Sequence, residues 1–382
     1  MGTHVIAVVG ATATGKSGLA IALARALGGE IVNADSMQLY RGMDIGTAKE
    51  PETAWQGAPH HLLDIWPVTR TANVADYQKL ARAATDDIIA RGRTPVLVGG
   101  SGLYLRAALD DLDFPRTDHG TRARLESELA ELGAAELHAR LAGLDPAAAA
   151  AILPSNGRRI VRALEVIELT GRPFTASMPT YEQVRPAVQV GLTLPRPELD
   201  QRIAARVDRM WQAGFETEVK DLVRHGLRDG KTASRALGYQ QMLRHLDGEL
   251  TLDQARDETV KATRRFARRQ ESWFRRDPRI RWLDASQPPD TLLAEALRLT
   301  ECALCSAPYA VLLTQCSLRD PSPRQFPDVP GQGVGGEQPR QQLGLDGQRP
   351  ERQRHGDVVI RPVHDLDLVT GLDLALLDDP EV

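Results

Sequence analysis

The run Gly10-Ala11-Thr12-Ala13-Thr14-Gly15-Lys16-Ser17 constrains this chain more than any other stretch. It fits the phosphate-loop pattern G-x-x-x-x-G-K-[ST] without a mismatch, and both flanks agree with it. His4 to Val9 is a short apolar, β-branched run of the kind that forms a buried parallel strand. Gly18 to Leu27 is rich in Ala, Leu and Ile, which favour helix, and Gly28-Gly29 can end that helix. Strand, glycine loop and helix together cradle a diphosphate. Backbone N–H groups converge on its oxygens, and the helix N-terminus adds partial positive charge. Gly10, Ala11, Thr12, Ala13, Thr14 and Gly15 build this nucleotide-binding type of loop, Lys16 neutralises phosphate, and Ser17 offers its hydroxyl to Mg²⁺. The motif alone does not say whose phosphates are held.

The remaining pattern predicts an α/β fold: a P-loop NTPase-like parallel sheet with helices on both faces and a helical insertion. A second strand, Glu30 to Ala34, ends in Asp35-Ser36, and a third, Pro95 to Val98, runs into Gly99-Gly100-Ser101-Gly102-Leu103-Tyr104. Ala75 to Arg91 reads as the crossover helix that parallel pairing requires. Chemistry in open parallel sheets collects beyond the carboxyl ends of the strands, which sets Asp35 beside the cradle. Around Phe114-Pro115 the pattern turns helical, with Ile160, Leu164 and Ile167 on one face before the stop signals Gly171 and Pro173. Residues 118–185 are therefore expected to be an insertion between two parts of a catalytic core, 1–117 and 186–290. Strand character returns at Val188 to Leu194, and Leu199, Ile203, Val207, Met210 and Trp211 mark an amphipathic helix.

At 382 residues there is length for two or three domains. No apolar run approaches a membrane span and no signal peptide is evident, so a cytoplasmic protein without membrane partners is expected. Cys302, Cys305 and Cys316 offer no disulfide framework, and no second pair accompanies Cys302-x-x-Cys305 to make a zinc site. The net charge of −4, taken over the whole chain, argues against a nucleic-acid partner. Yet residues 301–382 carry seven arginines, no lysine and 13 acidic residues, leaving 1–300 with 40 basic against 38 acidic groups. Clustering then decides. Between residues 255 and 282 ten cations, among them Lys261, Arg265 and Arg268, oppose only Asp257, Glu258, Glu271 and Asp277. With Arg158-Arg159-x-x-Arg162 they favour a polyanion larger than a nucleotide. Beyond residue 300 lysine vanishes and Pro, Gln and Gly rise. That extension, 300–382, reads as low-complexity and disordered, with one short apolar element at Leu366 to Leu377.

Asp35-Ser36-Met37-Gln38-Leu39-Tyr40 and Gly42-Met43-Asp44-Ile45-Gly46-Thr47-Ala48-Lys49 resemble the signature of the bacterial tRNA dimethylallyltransferase family. So do His60-His61-Leu62-Leu63-Asp64, the Gly99 to Tyr104 run, Arg159 to Glu165, Gly238-Tyr239-Gln240, and Thr263-Arg264-Arg265 through Arg269-Gln270. The likeness covers about residues 4–285, in ordered blocks. It implies transfer of a dimethylallyl group from dimethylallyl diphosphate to N6 of the adenosine immediately 3′ of the anticodon, with diphosphate leaving. Mg²⁺ is the implied cofactor, tRNA through its anticodon stem-loop the implied partner, and a monomer the expected state. By the resemblance Asp35, Lys16, Arg235 and Ser101 are catalytic. The tRNA-contacting positions fall on Asp35, Ser36, Met37, Gln38, Ser101, Arg122, Arg124, Arg158, Arg159 and Arg162. Many relatives carry threonine where this chain has Ser101, and serine keeps the hydroxyl. The tail is outside the family pattern, and its removal after Leu299 is expected to leave modification of tRNA intact.

An exocyclic amine is a weak nucleophile because its lone pair is delocalised into the ring, so it needs a base. Asp35 is the candidate; its alternative role is as a Mg²⁺ ligand. Lys16, the loop N–H groups, Mg²⁺ and Arg235 would stabilise the departing diphosphate, and the target base must leave its stack. A small-molecule or nucleoside kinase would explain the loop and the helical insertion, but not the Asp35 block or the arginine-rich helix. An adenylate isopentenyltransferase shares the cradle and Asp35 but needs less cationic surface. A non-catalytic RNA-binding module with a phosphate-loop switch is the third alternative.

Overall fold

The computed structural model describes residues 4–112, 114–115, 117–174 and 181–305. In chain order these form β1 (Val5–Gly10), α1 (Lys16–Ala26), β2 (Glu30–Asn33), β3 (His60–His61), α2 (Val74–Ala90), β4 (Pro95–Gly99) and α3 (Gly102–Leu109). Four further helices follow: α4 (His119–Leu132), α5 (Ala134–Leu144), α6 (Pro146–Ala151) and α7 (Gly157–Thr170). The chain then runs through β5 (Ala187–Thr193), α8 (Arg196–Gln212), α9 (Phe215–Arg224), α10 (Tyr239–Leu246), α11 (Leu252–Arg275), β6 (Ile280–Asp284) and α12 (Pro289–Cys305).

The strands make one parallel sheet in the order β3-β2-β4-β1-β5-β6. Every residue of β1 is buried, since helices cover both faces. Val5, Ala7 and Val9 point to one face with Val32 and Leu97, against Tyr77, Tyr104, Phe215 and Tyr239. Ile6 and Val8 point to the other with Ile31, Val96 and Val190, against Leu19, Leu23, Leu199 and Ile203. This is the alternation of a pleated strand covered twice, and each fully buried Val, Leu or Ile contributes about 1.5–3 kcal/mol. β4 lies between β1 and β2, so the ends of these strands carry Gly10, Gly99 and Asn33 to one edge of the sheet.

The sequence pattern missed two strands. β3 is only two residues long, and β6 sits at the sheet edge inside an arginine-rich window where its alternation is diluted. The basic window is therefore a helix to Arg275 followed by a strand.

Helices α4 to α7 pack on one another around their own core of Leu125, Leu137, Leu141, Ile160 and Leu164. Asp118, Asp145 and Asn156 cap α4, α6 and α7 by accepting backbone N–H bonds. The fully buried Glu165 ties this bundle together, accepting from the Asp118 N–H at 3.2 Å, Arg122 at 2.5 Å and Arg162 at 2.8 Å. At the C-terminal end, α12 runs past Leu299 to Cys305 and buries Thr300. The folded chain thus extends beyond residue 300, and a cut after Leu299 would sever a helix. The rest of the predicted disordered tail, from residue 306, and the apolar element at Leu366 to Leu377 lie outside the described residues. No described helix is long and apolar enough to cross a membrane.

Candidate active site

The phosphate loop leaves β1 at Gly10 and enters α1 through Gly15, which takes φ +90° as the residue before the helix. A side chain there would be strained, so this position requires glycine. Thr14 Oγ1 donates to the Ala11 carbonyl at 2.9 Å, and Lys16 Nζ donates to the same carbonyl at 2.6 Å. The lysine is thus folded back over its own loop. Part of its surface is accessible, but the ammonium is ringed by protein, and that desolvation, together with the Arg206 guanidinium, lowers its pKa to about 7 against the opposing pull of Asp35.

Asp35 lies two residues beyond the end of β2 at Asn33. Asn33 brackets it, accepting from the Asp35 N–H at 2.9 Å and donating to the Asp35 carbonyl at 3.0 Å. Asp35 Oδ1 accepts from the Met37 N–H at 2.9 Å, an Asx turn that sets the carboxylate at the strand end. Between Asp35 and the phosphate loop stands Ser101, whose Oγ lies 3.2 Å from Ser36 Oγ and accepts from the Ser36 N–H at 3.3 Å.

These groups open on a cavity of about 120 Å³. Thr12, Asp35, Ser36, Ser101 and Arg206 supply its polar side, while Met37, Val207, Met210, Phe215, Tyr239 and Phe266 supply apolar wall. Of the phosphate loop only Thr12 lines it; Lys16 stands behind, close enough for Asp35 and Arg206 to act on its charge. Such a space suits a ligand with an anionic end and a small hydrocarbon end.

Arg206 is the residue that sequence reasoning missed. It projects from α8 into the cavity and donates to the Thr47 carbonyl at 3.0 Å. Burial pushes its guanidinium down, and Asp35 and Glu50 pull it up. One signal was available, since Arg206 lies between Ile203 and Met210 on a helix otherwise read as apolar on that side. Arg235, expected as the extra cation, lies in the 3₁₀ turn Ala233–Arg235 just before the lining residues Ala236 to Tyr239 and is not itself part of the lining. Gln38 Nε2 donates to the Thr47 carbonyl at 3.3 Å, the same oxygen that holds Arg206.

The expected RNA-contacting arginines divide. Arg122 and Arg162 hold the buried Glu165. Arg124 pairs with Glu128 and Glu168, which Arg140 also bridges. Arg159 is buried on the packed side of α7, whereas Arg158 is exposed.

A model of the IPP transferase family matches residues 38–277. The chain belongs to the IPP transferase family. The tRNA dimethylallyltransferase of Thermobifida fusca is 66% identical over 306 residues, 79% of this chain and 96% of that protein. That of Streptomyces coelicolor is 65% identical over 299 residues, 78% and 96% of the two chains. Among solved structures, the tRNA isopentenylpyrophosphate transferase of Bacillus halodurans shares 41% identity and a TM-score of 0.59, covering 79% of this chain and 96% of its own. A eukaryotic dimethylallyltransferase acting on tRNA superposes with a TM-score of 0.68 at 27% identity, covering 77% of each chain. The family's parallel sheet and helices are those described above.

Proposed function

We propose that this IPP transferase moves a dimethylallyl group from dimethylallyl diphosphate to N6 of the adenosine immediately 3′ of the anticodon in tRNA. The observation that carries the reading is that the phosphate loop, through Thr12, and the acidic Asp35 meet at one cavity whose apolar wall is built by Met37, Val207, Met210, Phe215, Tyr239 and Phe266. The diphosphate lies along the loop against Lys16 and Arg206, and the hydrocarbon end lies among the apolar side chains. The amine nitrogen bonds to the allylic carbon as the carbon–oxygen bond breaks, and the bonding pair leaves with the diphosphate. Asp35 takes the proton that the amine loses. Lys16 and Arg206 meet the charge that grows on the leaving oxygens, where a fixed cation lowers the barrier most. Arg206, rather than Arg235, is assigned this second role because it lines the cavity.

Mg²⁺ suits the oxygen donors present. Ser17 would hold it together with the diphosphate, with Asp35 within the same neighbourhood. Among the described residues no group of three or more His, Cys, Asp or Glu could hold a metal unaided, so the diphosphate would complete its shell. When bound, the ion supplies further neutralisation of the leaving group.

Ser36, Met37, Gln38 and Ser101 are the groups assigned to the flipped adenosine, and Arg158 to the RNA backbone. The protein works as a monomer in the cytoplasm, which size-exclusion light scattering and fractionation test. Incubating tRNA with the protein and dimethylallyl diphosphate, then analysing the nucleosides by mass spectrometry, tests the central reading. The expected product is N6-isopentenyladenosine. Phosphoryl transfer from ATP to a small acceptor, or prenylated AMP with unmodified tRNA, would overturn it.

A further inference from the structure

Helix α11 passes behind the phosphate loop and presents Thr259, Thr263 and Phe266 to the cavity. One turn further along the same face, at a spacing of four residues, lies Gln270, which is 7% exposed. Both ends of its amide are engaged. The Thr12 N–H donates to Gln270 Oε1 at 2.8 Å, and Gln270 Nε2 donates to the Gly100 carbonyl at 2.9 Å. Thr12 belongs to the phosphate loop beyond β1, while Gly100 belongs to the loop beyond β4 that carries Ser101. A single side chain therefore spans the two loops.

The glycines at the end of β4 make room for this approach. A Cβ on Gly100 would stand 2.3 Å from Gln270 Nε2, and one on Gly102 would stand 2.0 Å from the Trp273 ring nitrogen. Both contacts are impossible for real carbon atoms, and both come from α11. The glycine run after β4 is at these two positions a seat for a helix. Thr12 also spends its N–H on Gln270, so that group shapes the loop instead of facing a phosphate.

We infer that Gln270 is a positioning residue for group transfer: by holding Thr12 and Gly100 together, it fixes the spacing between the phosphate loop and the Ser101–Ser36–Asp35 side of the cavity. The inference rests on the function proposed above, in which the donor occupies one of these sides and the acceptor amine the other. A displacement of about 1 Å between reacting groups can lower turnover ~10²-fold without greatly weakening binding.

The test uses the full chain with two substitutions. Q270M keeps length and apolar bulk and removes both hydrogen bonds. Q270E keeps an acceptor for the Thr12 N–H, but can donate to the Gly100 carbonyl only when protonated. For Q270M the expectation is a kcat lower by about 10- to 100-fold with KM for tRNA within about twofold of the parent. Its affinity for inorganic diphosphate, read by calorimetry, should fall about fivefold or more, because the loop loses its anchor. For Q270E the ratio of its kcat to that of the parent should rise as pH falls, since the protonated carboxyl restores the donor. Unchanged diphosphate affinity together with a kcat within twofold in both variants would overturn the inference. So would losses that follow only a lowered unfolding midpoint, with a flat Q270E ratio across pH. A parent protein that binds diphosphate yet prenylates no tRNA sinks the proposed function alone, and the diphosphate comparison still decides the role of Gln270.

Discussion

Arg206 is held in the cavity by the Thr47 carbonyl, which accepts from its guanidinium at 3.0 Å across 159 residues of sequence. That contact aims a cation with burial-lowered basicity toward Asp35 and Lys16. Arg206→Ala should lower prenyl transfer by ~10²- to 10³-fold, the usual loss when one fixed group that meets developing charge is removed. Steady-state kinetics with saturating tRNA measures this, and a turnover near that of the parent would remove Arg206 from the leaving-group role.

Lys16 makes a second outcome measurable. Its pKa is lowered from 10.5 to about 7, so between pH 7 and 10 it is largely neutral in the free protein and charged in the unfolded chain. The unfolded state therefore binds more protons there, and this group's contribution to stability rises with pH across that window. A bound diphosphate favours the ammonium. Binding at pH 8 should accordingly take up a fraction of a proton, seen as a calorimetric enthalpy that varies with the ionisation enthalpy of the buffer. Affinity should weaken as pH rises above 7. Arg206→Ala, by removing a repelling charge, should move that weakening to higher pH.

Asp35→Asn preserves an acceptor for the Met37 N–H and removes the base. Turnover should fall by ~10²-fold or more while the Kd for tRNA changes little. A filter-binding titration run beside the kinetic assay separates the two effects.

Glu218 anchors the loop that carries Thr47. It accepts from the backbone N–H groups of Asp44 at 3.1 Å, Ile45 at 2.6 Å and Gly46 at 3.2 Å, and from the Tyr239 hydroxyl at 2.7 Å. Burial and the neighbouring carboxylate push that hydroxyl well above its ordinary pKa, so it stays a donor. Glu218→Ala leaves several half-buried donors unpaired and should cost about 2–3 kcal/mol, read from urea unfolding. Turnover should fall too, because Thr47 no longer holds Arg206.

Arg158 and Arg162 should behave differently although they lie one turn apart. Arg158 is exposed, and Arg158→Ala should weaken tRNA binding and reduce the log–log salt slope by about 1. Arg162 is paired with the buried Glu165, so Arg162→Ala should first destabilise the α4–α7 bundle. Salt titrations of tRNA binding and thermal unfolding of both variants check the contrast.

Local pattern was enough for much of this. The phosphate loop declares itself because a tight turn, a helix start and a charge-bearing lysine must occupy neighbouring positions. The unbroken apolar run Val5 to Val9 encodes a strand buried on both faces, and Asp35 is legible because it ends the next such run. The helical insertion shows in the period of α7 and its flanking stop signals. β3 and β6 were not legible, since two or five residues at a sheet edge hold too little period to read.

Sequence by itself thus determined the parallel sheet, the cradle and the acid at the strand end, each written into a few adjacent residues. Tertiary structure alone decided the partners of those groups. Thr12 meets Gln270 over 258 positions, the Asp44 N–H meets Glu218 over 174, and Arg206 reaches the cavity lining from α8. Whether a cation on a helix reaches the cavity or pairs with a buried acid depends on which turn faces the sheet. That is set by how whole helices pack, a property no short window of residues contains.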